Sequence, residues 1–288
     1  METVLTKKLR YTFELVKFSH TVFALPFALA SFLVASRSEF SWRTAAWVIL
    51  AVFCARTAAM AFNRLADAAI DAKNPRTKDR HLPAGLLSRA YVAGLVILSS
   101  AGFLFSAWHL NRLSFLLAPL CLAILFFYSF TKRWTHFTQF FLGLALGMAP
   151  VGAAIAATGH WNWNASVLGL SVLFWVAGFD LLYSLQDLNF DRVHGIFSLP
   201  VKIGLKNTFR LSTGLHLLFL LGLAAYGYLE GLRAVYWAGW FLCAGFLVWE
   251  HWILKEDLKK IQASFFTANG LLSLFFFACT AWDILSSR

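Results

Sequence analysis

Asn63, Asp67 and Asp71 follow one another at intervals of four residues, at the end of an apolar run from Ala45 to Phe62. At roughly 100° per residue, that spacing sets all three side chains on one stripe of a helix. A second set, Tyr183, Asp187 and Asp191, repeats the spacing 120 residues later. Asp180 precedes Asp187 by seven residues, which returns it to the same face. Carboxylates beside a bilayer are costly, and two on one stripe repel, so such groups mark function. A divalent cation resolves both problems. Mg²⁺ prefers a few carboxylates, several waters and substrate phosphate oxygens to a closed protein cage. Two acidic stripes facing each other therefore suit a diphosphate, whose departure builds charge that must be neutralised. The competing reading is plain: helix-end carboxylates paired with Arg64, Arg192 and loop cations. Against it, five of only 14 acidic residues fall in these stripes.

The elements that must carry the stripes are membrane helices. Of 288 residues, 59% are hydrophobic and 14% charged, and mean hydropathy is +0.66. That composition excludes an ordinary soluble domain. Nine apolar spans are expected, near residues 14–36, 45–66, 90–109, 113–130, 137–157, 166–186, 208–229, 233–253 and 264–284. Trp42, Trp108, Trp161, Trp163 and Trp237 lie near span ends, as interface anchors do. The expected fold is thus all-α and integral to the membrane, a single domain over residues 1–288.

The net charge is +11. In this setting it reads as cytoplasmic loops together with anionic lipid or substrate, with no call for nucleic acid. Of the 25 Lys and Arg, 18 fall in the N-terminus and the loops after even-numbered spans, against five on the opposite side. The positive-inside bias then predicts a cytoplasmic N-terminus, with the acidic stripes opening to the same side; a bacterial inner membrane is the expected setting. Spans two and six are separated by an even number of crossings, so both stripes end on one side. Their parallel spacing, each followed by a Leu-Pro and a Gly, suggests two pseudo-repeated halves.

Cations are placed to meet an anion. The loop from Lys73 to Gly85 contains Arg76 and Arg80, and Lys132 and Arg133 follow span four. Lys17 and His20 stand one turn apart near the cytoplasmic end of span one; Lys17 reads first as a snorkelling interface anchor and, as the alternative, the Lys17–His20 edge faces the mouth of the expected site. An allylic diphosphate that ionises leaves a carbocation, which aromatic faces stabilise without quenching. The 30 Phe, 12 Trp and 7 Tyr permit such a cavity. The four cysteines, Cys54, Cys121, Cys243 and Cys279, form no C-x-x-C and read as small buried residues.

The two stripes resemble the aspartate-rich motifs of the UbiA superfamily of intramembrane prenyltransferases, and the resemblance spans nearly the whole chain. Arg76-Thr77 with Arg80-His-Leu-Pro-Ala-Gly85 resembles that family's basic loop. Tyr128-Ser-Phe-Thr-Lys132-Arg133 resembles its Tyr-x-x-x-Lys-Arg element. Lys17-Phe-Ser-His20-Thr-Val-Phe-Ala-Leu-Pro26 is similar to the 4-hydroxybenzoate polyprenyltransferase-like branch, which includes enzymes of the futalosine route to menaquinone. The resemblance implies nine helices around a central cavity with a lateral opening to lipid. It implies Mg²⁺ on Asn63, Asp67, Asp71, Asp187 and Asp191. It implies diphosphate contacts from Arg76, Arg80, Lys132 and Arg133. It implies that Asp180 and Tyr183 face the same site as catalytic residues, and Lys17, His20 and Tyr128 are expected to contact substrate. Arg64 departs from the pattern, standing where many members have Asp; Phe197-Ser198-Leu199 stands where many have Lys-Ser-Thr.

The expected activity is Mg²⁺-dependent transfer of a polyprenyl group from polyprenyl diphosphate to an aromatic quinone precursor, 4-hydroxybenzoate or a dihydroxynaphthoate. The product would serve ubiquinone or menaquinone. A haem prenyltransferase of the same superfamily and a cation-coupled transporter are the alternatives. No Asp-Gly-x-x-Ala-Arg pattern of a CDP-alcohol phosphotransferase occurs.

Overall fold

The computed structural model describes residues 4–17 and 23–286. Among the described residues there is no strand, and the chain is helical almost throughout. An amphipathic helix α1 (Val4–Leu15) precedes α2 (Leu25–Ala35) in the chain. The first acidic stripe ends α3 (Trp42–Asp71). Then come α4 (Arg89–Leu110), α5 (Arg112–Thr131), α6 (Thr138–Thr158) and α7 (Trp163–Tyr183). A 3₁₀ turn (Ser184–Asp187) joins α7 to the short α8 (Leu188–His194). Last are α9 (Leu199–Leu229), α10 (Ala234–Glu256) and α11 (Ile261–Leu285).

Seven helices among the described residues are long and apolar enough to cross a bilayer: α3 to α6, α7 with α8, α9 and α11. The expected first span is not continuous. α1 ends at Leu15, and α2 has only 11 residues. Pro26 explains the new start: it sits in the first turn of α2, where its missing N–H costs no helical bond. α10, the expected eighth span, carries Glu250, His251 and Lys255 near its end and is not among the seven.

Capping fixes where the long helices begin. Ser41, Ser88, Asn111 and Asn162 are extended, and each accepts a hydrogen bond from the backbone N–H three residues on. α9 breaks early, at Gly204, whose φ of +78° lies in the region open to glycine.

α7 is the central helix. Two-thirds (67%) of its most apolar window is buried, the largest share of the seven. A helix apolar on every face belongs inside a bundle. Trp175, Val176 and Phe179 of α7 join Phe27 of α2, Phe219 of α9 and Phe276 of α11 in the main core. α6 packs on α7 through glycine. A Cβ on Gly143 would stand 2.5 Å from the Leu173 carbonyl oxygen, and one on Gly147 would strike that of Gly169. Small residues let membrane helices approach backbone to backbone, where dispersion takes over from the hydrophobic effect. α7 thereby carries Asp180 and Tyr183 to the end of the bundle where α3 delivers Asp71.

The second stripe is not a copy of the first. Asn63 to Asp71 lie on one unbroken helix, whereas Tyr183, Asp187 and Asp191 span α7, the 3₁₀ turn and α8. The Ser184 hydroxyl donates to the Leu181 carbonyl at 2.8 Å, and Gln186 Nε2 donates to Tyr183 O at 3.1 Å. Such local side-chain bonds compete with the helical ladder.

Candidate active site

The C-terminal ends of α3 and α7 meet through the loop that follows α3. Asn74 and Arg76 of that loop both grip Asp187. Asn74 Nδ2 donates to Oδ1 at 3.0 Å, Arg76 Nε to Oδ1 at 2.8 Å and Arg76 Nη2 to Oδ2 at 2.5 Å. Asn74 also accepts from the Arg76 backbone N–H at 2.9 Å, which turns the arginine toward α7. Burial alone would lower the Arg76 guanidinium, but its hydrogen bonds with Asp187 outweigh this and hold it above its ordinary value.

Two further carboxylates of the first stripe are held by single cations. Arg80 Nη1 contacts both oxygens of Asp71 at 2.8 Å. Lys132 Nζ stands 2.7 Å from Asp67 Oδ2, which also accepts from Asn63 Nδ2 at 3.1 Å. Asn63 reaches Ser129 Oγ on α5 as well, at 3.4 Å. Asp67 is only 3% exposed, yet its other oxygen, Oδ1, has no hydrogen-bond partner among the described residues.

A cavity of about 470 Å³ opens beside these pairs. Lys17, Asp71, Arg76, Arg80 and Tyr183 line it, so five of the predicted residues come together there. Asp187 joins them through Arg76. Asp67 and Lys132 form a separate pair outside the lining. Arg133 turns elsewhere: its Nη2 donates to the Ala66 carbonyl at 2.6 Å, and its guanidinium lies 5.1 Å from the Phe130 ring centre. Tyr128 is half-buried on α5, next to Ser129. Asp191 is half-buried on α8, one turn beyond Asp187. Asp180 is half-buried on α7, one turn before Tyr183, and makes no ion pair among the described residues. His20 lies outside the described residues.

Several participants escape a reading of the stripes. Arg64 lines the cavity from α3, and Gln262, Phe265 and Phe266 line it from α11. Phe265 tilts against Tyr183 with ring centres 4.4 Å apart, and Arg76 sits 5.7 Å from the Tyr183 ring centre. Asn74 carried a legible signal, an Asn-Pro turn directly after the stripe. The α11 residues carried none, since only folding brings them beside α3.

The donor chemistry suits a hard cation: carboxylate oxygens on two helix ends, one of them buried and unpartnered. Among the described residues, no three His, Cys, Asp or Glu side chains converge on one point. The aspartates are instead balanced one by one by Arg76, Arg80 and Lys132. Arg76 and Arg80 thus bring cations and carboxylates together at the cavity, while Lys132 and Asp67 form their own pair.

Residues 24–279 match the model of the UbiA prenyltransferase family. The chain belongs to this family. It is accordingly an enzyme, a prenyltransferase. A UbiA-family relative from Tolumonas auensis, named 4-hydroxybenzoate octaprenyltransferase, is 30% identical over 229 residues, covering 79% of each chain. One of the same name from Sodalis glossinidius is 28% identical over 240 residues, 83% of this chain and 82% of that one. Among solved structures, an apo UbiA homologue from Aeropyrum pernix K1 aligns with a TM-score of 0.82 at 33% identity, over 93% of this chain and 98% of that one. A UbiA homologue from Archaeoglobus fulgidus bound to GPP and Mg²⁺ aligns with a TM-score of 0.73 at 19% identity, over 96% and 99%. At that identity the likeness is one of fold.

Proposed function

We propose that this UbiA-family enzyme transfers a polyprenyl group from polyprenyl diphosphate to a ring carbon of an aromatic quinone precursor. The observation that carries the reading is the meeting of the two stripes at one cavity, where Arg80 pairs with Asp71 of the first and Arg76 with Asp187 of the second. The names of the relatives favour 4-hydroxybenzoate, hence ubiquinone. A dihydroxynaphthoate, hence menaquinone, is the second acceptor, carried by the span-one stretch from Lys17 to Pro26.

Asn63, Asp67, Asp71, Asp187 and Asp191 are the residues that would hold Mg²⁺. When bound, Mg²⁺ neutralises charge building on a departing diphosphate. Arg76, Arg80 and Lys132 bind diphosphate oxygens by exchanging their aspartate partners for phosphate, and Arg133 supports the same end. The bond between the allylic carbon and oxygen breaks, and the electron pair leaves with diphosphate. The aromatic ring attacks the allylic carbon, and the ring proton then passes to Asp180 or to the diphosphate. Tyr183, Phe265 and Phe266 line the path and offer aromatic faces to the cationic carbon. Lys17, His20 and Tyr128 complete the substrate contacts.

The chain acts as one domain over residues 1–288, crossing a bacterial inner membrane nine times in two related halves. α10 supplies the eighth crossing, and α2 forms only part of the first. The N-terminus and the site face the cytoplasm, the prenyl tail extends into lipid, and nucleic acid has no part.

The test is prenyl transfer in detergent, with polyprenyl diphosphate, Mg²⁺ with and without chelator, and the two acceptors side by side. Chelator-sensitive product is expected, and the preferred acceptor assigns the quinone. Diphosphate binding without product from either acceptor would point to a third acceptor, as in the haem branch.

A further inference from the structure

Arg64 is the cavity's arginine without a carboxylate. Arg76 is committed to Asp187 and Arg80 to Asp71. Among the described residues Arg64 donates only its Nε–H, to the backbone carbonyl of Leu15 at 3.4 Å, a long bond to a neutral acceptor. Among the described residues its two terminal nitrogens have no partner. A guanidinium with no carboxylate in direct contact beside an apolar bundle is costly, and part of the cost is recovered when an anion arrives.

Position decides which anion. Arg64 precedes Asp71 by seven residues, so both stand on the same face of α3 and line the same cavity. The diphosphate belongs where the stripes meet, at Asp187, Arg76 and Arg80. Arg64 reaches the end of α1 through Leu15, and Lys17, just beyond that end, lines the same cavity. Tyr183, Phe265 and Phe266 complete the lining, enough aromatic surface to sandwich a ring. A planar fork of N–H donors matches a carboxylate in two-point fashion, which a lysine cannot do.

We infer that Arg64 anchors the carboxylate of the aromatic acceptor and so selects acids over neutral phenols. This rests on the proposed prenyl transfer. Each candidate acceptor carries one carboxylate, and in 4-hydroxybenzoate it lies meta to the electron-rich carbons beside the hydroxyl. Holding it on Arg64 turns the ring's reactive edge toward the diphosphate end of the cavity.

The experiment compares wild type, Arg64→Met and Arg64→Lys with 4-hydroxybenzoate and its amide, 4-hydroxybenzamide, as acceptors. Wild type is expected to favour the acid. Arg64→Met should raise KM for the acid about 10- to 100-fold and erase the acid-to-amide preference, with KM for polyprenyl diphosphate within about twofold. Arg64→Lys should fall between, and it carries the same test if Arg64→Met does not fold. An unchanged acid-to-amide ratio in either variant, or a rise in KM for the diphosphate instead, overturns the assignment. Calorimetric binding of 4-hydroxybenzoate to wild type and Arg64→Lys keeps the two readings apart. If wild type prenylates neither compound yet Arg64→Lys weakens acid binding about tenfold or more, the prenyl-transfer reading fails and the anchor stands. If acid binding is equal in both proteins, the anchor fails.

Discussion

Arg76 and Asp187, 111 residues apart, meet side-on: Nε on Oδ1 at 2.8 Å and Nη2 on Oδ2 at 2.5 Å. This two-pronged pair ties the loop after the first stripe directly to the second. With side chains 26% and 19% exposed, it is screened less than a surface pair. It therefore fixes the distance between the acidic helix ends before any substrate arrives.

If the pair sets that distance, Arg76→Met and Asp187→Asn should be energetically coupled. A double-mutant cycle on thermal unfolding in detergent should return about 1–3 kcal/mol of interaction. A coupling near zero would assign the spacing to Asn74 and the neighbouring helices.

Asp67 and Asp187 should be indispensable for rate. Asp67→Asn or Asp187→Asn should lower turnover by at least a few kcal/mol in barrier, roughly 10²–10³-fold, through lost charge stabilisation. Steady-state kinetics over a Mg²⁺ titration checks this. Wild-type-like rates in both variants would remove the metal reading.

Asp180 should matter as a proton acceptor. Asp180→Asn should slow turnover by roughly 10²–10⁴-fold with little change in diphosphate affinity. Near-normal turnover would assign the ring proton to the leaving diphosphate.

Away from the mouth, Glu250, Asn269 and Trp175 form a buried chain joining α10, α11 and α7. Asn269 Nδ2 donates to Glu250 Oε1 at 2.6 Å, and Trp175 Nε1 donates to Asn269 Oδ1 at 2.8 Å. Asn269→Leu strands both partners and should cost about 3–5 kcal/mol, measured by unfolding in detergent. Glu250→Gln keeps an acceptor oxygen and should stay within about 1.5 kcal/mol of wild type. Equal losses in the two variants would mean that packing, not hydrogen bonding, holds this junction.

Orientation is open to thiol labelling. In a background lacking the four native cysteines, Lys78→Cys should label only from the cytoplasmic side and His160→Cys only from the opposite side. Both positions are exposed. Outside-only labelling at residue 78 would invert the proposed topology.

Hydropathy, loop charge and the four-residue interval were enough to read an all-helical membrane chain with two acidic stripes, because each is a local property of a helix that the sequence writes directly. Asn63, Asp67 and Asp71 lie on α3 as their spacing requires. Only the tertiary structure decided how the charges are balanced. That Asp71 takes Arg80, Asp187 takes Arg76, and Asp67 takes Lys132 depends on where a loop folds and how α5 approaches α3. The break at Ser184 and the short α2 were likewise set by side-chain bonding and a proline's place in a turn, finer than hydropathy resolves. Arg64 and Phe265 are 201 residues apart. Their common cavity exists because α11 packs against α2 and α7. No periodicity along the chain encodes that packing, since in a lipid solvent it rests on close fit between helices rather than on an apolar stripe.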